Sequence, residues 1–180
     1  MGLIDDVDEI LIPGAAIQAR VGELGQAISR DYEGKEPLLV GILTGAFVFL
    51  SDLLRQISIP CHIDFMATSS YGEATESSGI VRILKDLDQS IEGRHVLIVD
   101  DIIDTGLTMD YLLETLKARY PASLRVCALL DKLPRRRREV RIDYRGFEIP
   151  DKFVVGYGLD YAGRYRNMPF VCVLKPEIYS

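Results

Sequence analysis

Residues 96–108 read VLIVDDIIDTGLT, and no other stretch constrains the fold as tightly. Val96 to Val99 have the length and β-branching of a buried strand. Asp100 and Asp101 follow at once, then Ile102, Ile103, a third carboxylate at Asp104, and Thr105-Gly106. The period then changes. Leu107, Tyr111, Leu112, Thr115 and Leu116 recur at three- and four-residue spacing, as on one face of a helix. The stretch predicts strand, acidic turn, helix start.

This arrangement has chemical consequences. Open α/β sheets bind ligands beyond the carboxyl ends of their strands. The first turn of a helix presents unpaired N–H groups and partial positive charge, which favour phosphate. Gly106 permits close backbone approach, and Thr105 and Thr108 add hydroxyls. The three acids would repel phosphate unless they face something else, and sugar hydroxyls or a divalent cation suit them. On spacing alone, Asp104 is equally an N-cap, and Asp100 and Asp101 are equally solvated turn residues.

The rest of the chain repeats the alternation. Residues 1–12 form an acidic and apolar lead without the basic and long apolar regions of a signal peptide. Pro13 suits a first helical turn; Ile17, Val21, Leu24 and Ile28 mark an amphipathic helix to about Asp31, and Gly34 fits its end. Leu38–Leu43 predicts a buried strand, Thr44-Gly45 a turn, and Ala46–Leu54 a helix. That turn is either a second anion site or an ordinary βα connection. Cys61–Thr68 alternates as a strand, with a return strand over 80–87. Between them, Ser69–Gly79 is small and polar, and reads as flexible surface or as a lid. The central helix extends to about Tyr120, before Pro121. Leu124–Leu130 is another buried strand, which sets Asp131 and Lys132 on the same edge as the acids. Phe153–Tyr157 is expected to be the last central strand, and Val171–Leu174 a short closing one.

Composition narrows the function classes. With 48% apolar and 27% charged residues, the 180-residue chain suits one globular domain over 1–180. A net charge of −6 argues against bulk capture of nucleic acid. The basic run Arg135–Arg138, followed by Arg141, lacks interleaved aromatics and reads as a solvated face or subunit contact. Cys61, Cys127 and Cys172 form no C-x-x-C pair and read as buried reduced thiols. The apolar run 38–54 is broken by Thr44, Gly45, Ser51 and Asp52, so no membrane span and a cytoplasmic location are expected. No G-x-x-x-x-G-K-[ST] loop occurs, and Gly156-Tyr157-Gly158 does not continue as G-x-G-x-x-G.

The motif VLIVDDIIDTGLT resembles the phosphoribosyl-diphosphate signature of the type I phosphoribosyltransferases, and within them the hypoxanthine-guanine branch. Asp100 stands where that branch usually has Glu, and Thr44-Gly45 where it usually has Lys-Gly. The resemblance implies an α/β fold with a central, mostly parallel twisted sheet flanked by helices and a small hood over the active site. It implies transfer of the phosphoribosyl group to N9 of hypoxanthine or guanine, with Mg²⁺, in a homodimer or homotetramer. By the same resemblance, Asp104 is the catalytic base for the purine N7 proton. Asp100, Asp101, Asp104, Thr105, Gly106, Leu107 and Thr108 bind the ribose and 5′-phosphate. Leu43, Thr44, Gly45 and Arg166 bind pyrophosphate, with a cis peptide at Leu43–Thr44. Ser70, Tyr71 and Gly72 begin a mobile loop. Lys132, Lys152, Phe153, Val154 and Asp160 meet the purine base, and Asp100, Asp101 and Asp160 lie near the metal. The alternative within this fold is a regulatory, non-catalytic member that binds nucleic acid.

Overall fold

The computed structural model describes residues 2–70 and 81–179. Its frame is a six-stranded sheet in the order β4-β3-β2-β5-β6-β7. The strands are β2 (Leu38–Leu43), β3 (His62–Ser70), β4 (Val81–Lys85), β5 (His95–Ile103), β6 (Ser123–Asp131) and β7 (Tyr144–Glu148). All neighbours run parallel except β3 with β4. Parallel sheets are covered on both faces, and the central strands accordingly carry continuous apolar runs. Leu39, Leu97, Val99 and Leu129 pack toward α1 (Gly14–Asp31) and α2 (Phe47–Leu54). Val40, Val96, Ile98 and Val126 pack toward α3 (Leu107–Lys117). Successive residues of β5 thus feed opposite cores, as the period of two requires.

A second sheet of three antiparallel strands, β1-β9-β8, joins the two ends of the chain. It consists of β1 (Val7–Ile12), β8 (Val154–Val155) and β9 (Val171–Leu174), followed by the short helix α4 (Pro176–Tyr179). This is the hood that the family resemblance implies. Strand and helix periodicity alone carried no sign of it. The N-terminal lead is a strand because Val7, Ile10 and Ile12 find partners in Leu174, Cys172 and Val171.

Several sequence expectations need correction. Asp100, Asp101, Ile102 and Ile103 are strand, not turn. β6 runs alongside and pairs Asp100 with Ala128, Ile102 with Leu130 and Ile103 with Asp131, so the ladder continues through the acids. Phe153–Tyr157 is not a central strand: Val154 and Val155 pair with β9 in the hood. The edge of the main sheet is instead β7, pairing Phe147 with Leu130. The chain hides β7, because Arg145, Gly146 and Glu148 interrupt its apolar pattern. α3 ends at Lys117, and exposed Tyr120 adopts positive φ. Its buried face is Met109, Leu112 and Leu116, while Tyr111 is exposed. The return strand stops at Lys85, since Asp86 turns out to pair with Arg119 at 2.7 Å. The three cysteines are free; Cys127 and Cys172 are buried but Cys61 is only partly so. Among the described residues no helix is long and apolar enough to cross a membrane.

Candidate active site

The carboxyl ends of β2, β5 and β6 lie side by side and carry the polar residues of the central motif. Asp100 is buried, and its Oδ1 accepts from the N–H of Asp101 at 3.0 Å. Asp101 Oδ1 accepts from Ile102 N–H at 2.8 Å. Burial, and then the charge of Asp101, hold the Asp100 carboxyl well above the usual carboxylate range; burial also raises Asp101. Asp100, buried, and Asp101, half-buried, form a hard-oxygen donor pair that suits magnesium. Among the described residues, no three His, Cys, Asp or Glu side chains converge to hold a metal. The pair therefore fits a magnesium ion that takes its remaining ligands from water and substrate phosphate.

Asp104 begins the turn that follows. It is not an N-cap: that position belongs to Gly106, at φ +83°, with no side-chain cap bond. Asp104 Oδ1 is buried without a hydrogen-bond partner. Its charged neighbours stand just beyond bonding distance, Arg135 Nε at 3.5 Å and Lys132 Nζ at 3.8 Å. A buried ammonium, Lys132 at only 4% exposed, thus stands beside Asp104 Oδ2, while Oδ1 accepts no hydrogen bond among the described residues. A cleft of about 100 Å³ is lined by Asp100, Ile102 to Gly106, Thr108 and Met109. The first turn of α3, over Leu107 and Thr108, opens onto it.

The second βα turn meets the same place. The Leu43–Thr44 peptide is cis, as expected. A Cβ on Gly45 would overlap the Asp101 carboxylate, so glycine there lets the turn touch the acid pair. Gly158 sits against the Gly45 carbonyl at positive φ, which brings in the loop after β8. Arg166 donates to the Gly158 carbonyl at 2.7 Å and pairs with Asp160 at 2.9 Å. Its charge also reaches Asp101, lowering that carboxyl against the larger effect of burial.

The residues expected at the purine base are more scattered. Phe153 is exposed, edge-on to Tyr161 at 5.9 Å and tilted against Tyr179 at 5.7 Å. Val154 is buried, on a strand that pairs on one side only among the described residues. Lys152 pairs with Glu9 across the hood. Ser70 ends β3 and pairs with Val81, whereas Tyr71 and Gly72 lie outside the described residues.

Sequence reasoning missed two arginines. Arg135 faces Asp104, and Arg136 is mostly buried, bonded to the Asp131 carboxylate and to the carbonyls of Ile103 and Asp104. The run is therefore not a uniformly solvated face. Arg138 pairs with Asp110 and Arg141 with Asp143, so most of its charge is neutralised within the chain. A buried Asp131 just before Lys132 was the available signal, because a buried carboxylate needs a cation.

The profile of the "Phosphoribosyl transferase domain" family matches residues 7–162. The chain is 49% identical to the hypoxanthine-guanine phosphoribosyltransferase of Bacillus subtilis over 175 residues, covering 97% of both chains. It is also 49% identical to the bifunctional protein TilS/HprT of Listeria monocytogenes over 176 residues. That match takes 98% of this chain but 27% of the longer protein. Among solved structures, a hypoxanthine phosphoribosyltransferase from Staphylococcus aureus superposes with a TM-score of 0.95 at 47% identity, covering 99% and 97% of the two chains.

The raised carboxyl of Asp100 sets a pH dependence. An acid whose folded pKa lies above its unfolded value favours folding at low pH, and that contribution is lost as pH rises above the unfolded value, about 4. In chelator at neutral pH, Asp100→Asn should raise the thermal midpoint, and the difference should vanish near pH 4. A midpoint unchanged or lowered at neutral pH contradicts a strained acid pair.

Proposed function

We propose that this chain, which belongs to the phosphoribosyltransferase family, salvages 6-oxopurines, joining hypoxanthine or guanine to 5-phosphoribosyl 1-diphosphate with release of pyrophosphate. The observation that carries this is the buried Lys132 ammonium 3.8 Å from Asp104 Oδ2, at the carboxyl end of parallel strands. An ammonium has donors only. It matches the oxygen at purine C6 and leaves the amino group of adenine without an acceptor. The full-length likeness to the B. subtilis enzyme supports the same substrate class.

Each step has a residue to perform it. The free oxygen of Asp104 takes the proton from purine N7, which makes N9 the better nucleophile; such help is worth ~10²–10⁴-fold. N9 bonds to the sugar carbon as the carbon–oxygen bond to pyrophosphate breaks, and the electron pair leaves with pyrophosphate. N–H groups from Thr105 to Thr108 cradle the 5′-phosphate. Asp100 and Asp101 take the ribose hydroxyls, directly or through magnesium, with Asp160 on the pyrophosphate side. Magnesium, when bound, neutralises the charge on the leaving pyrophosphate. Backbone donors of Thr44-Gly45 and the Arg166 guanidinium hold the same group. A family lysine is replaced by Thr44, so Arg166 is the side-chain cation there. Phe153 stacks on the base, and the backbone edge at Val154 reads its rim. Lys152 acts through the hood, anchoring Phe153 by its pair with Glu9.

The reading is tested by nucleotide formation from 5-phosphoribosyl 1-diphosphate and magnesium with hypoxanthine, guanine, xanthine and adenine in parallel. Hypoxanthine or guanine should turn over while adenine is inert. Adenine as best substrate would overturn the role of Lys132, and no turnover with any base would overturn the enzyme. In the same assay Asp104→Asn should lower kcat by ~10²–10⁴-fold and spare binding of the 5′-phosphate. Full turnover at saturating substrates would sink the general-base role.

A further inference from the structure

We propose that Arg136 and Asp131 form a clamp that aims the phosphate-facing N–H groups and seats Lys132 in the same act. The clamp rests on the transferase reading above and makes Arg136 a positioning residue. Asp131 is 2% exposed, and its two oxygens each take a guanidinium, Arg136 on Oδ1 and Arg145 Nη1 on Oδ2 at 3.0 Å. The remaining Arg136 donors reach the central motif. Nε donates to the Asp104 carbonyl at 3.2 Å and Nη2 to the Ile103 carbonyl at 3.4 Å. The backbone around it does the same. Lys132 N–H donates to the Ile103 carbonyl at 2.9 Å, and Arg137 and Arg138 N–H to the Thr105 carbonyl at 2.8 and 3.1 Å.

Three successive carbonyls, of Ile103, Asp104 and Thr105, are thus held by residues 132–138. In a planar trans peptide the C=O of one residue and the N–H of the next point in opposite directions. Holding those carbonyls on the 132–138 side turns the N–H groups of Asp104, Thr105 and Gly106 the other way, toward the phosphate cleft. Gly106 completes the contact, because a Cβ there would overlap the Arg138 carbonyl. The carboxylate that anchors Arg136 belongs to the residue before Lys132, so one ion pair sets both the phosphate loop and the base-facing ammonium. A lysine at 136 cannot replace it: a single ammonium lacks the planar fork that reaches a carboxylate and two carbonyls together. A cleft of about 480 Å³, lined by Arg20, Asp131, Arg136 and Arg145 among others, opens onto the clamp from outside.

The test compares the parent with Arg136→Ala, Arg136→Lys and Asp131→Asn, by steady-state kinetics with hypoxanthine and by thermal midpoint. The folded variants should raise KM for 5-phosphoribosyl 1-diphosphate on the order of 10- to 100-fold, with a smaller fall in kcat, and Arg136→Lys should not rescue. Millimolar guanidinium chloride should recover part of the Arg136→Ala loss through the open cleft, and sodium chloride should not. A folded Arg136→Ala with the parent's KM, or equal recovery by both salts, overturns the clamp. If Arg136→Ala does not fold, Asp131→Asn, which keeps the side-chain volume, decides by the same KM criterion. A parent that forms no nucleotide overturns the transferase reading and the clamp with it; an active parent with unchanged variants overturns the clamp alone.

Discussion

The parallel pairing of β5 with β6 through Ile103 and Asp131 is the constraint on which the site depends. Side chains cannot be placed to within bonding distance by loops alone, because a loop carries its own conformational freedom. Here the ladder runs past the apolar core and into the acids. Asp100 and Asp101 are fixed by strand geometry rather than by the turn, and Lys132 follows directly on Asp131, the register partner of Ile103. The 3.8 Å between Lys132 and Asp104 is a consequence of that shared register.

Such order sets charges against solvation. Asp100 is buried beside another carboxylate, which costs the empty protein stability and gives a cation or sugar hydroxyls something to neutralise. Asp104 is kept from full pairing by both of its cationic neighbours, so its oxygen stays available. Asp131, which meets no substrate, is by contrast clamped by two guanidiniums. Both oxygens of Asp131 are satisfied, whereas Asp104 Oδ1 accepts no hydrogen bond among the described residues.

The amphipathic first helix, strand 38–43 and the closing strand 171–174 were legible, because burial on one or both faces imposes a period on the chain. The end of β5 was not, since two aspartates after four aliphatics look like a turn. What keeps them in strand is a partner twenty-eight residues downstream, which no local pattern carries. β7 was hidden for a related reason: an edge strand needs fewer apolar residues, and Arg145 and Gly146 serve the clamp and a close approach to Leu129 instead. The acids, Lys132 and Arg166 were singled out through the motif and its family resemblance. Arg135 and Arg136 were not, because a run of like charges reads as solvated surface until the buried Asp131 beneath it is seen.

On the proposed function, one strand register presents a 5′-phosphate cradle and a donor for a purine oxygen together. Equilibrium binding of inosine 5′-monophosphate against adenosine 5′-monophosphate, by calorimetry with magnesium present, tests it most directly, since the two ligands differ only in the C6 substituent and the proton on the adjacent N1. The account predicts preference for the inosine nucleotide on the order of 100-fold or more, as for a buried polar group left unpaired. Equal affinities, or tighter binding of the adenosine nucleotide, would contradict it.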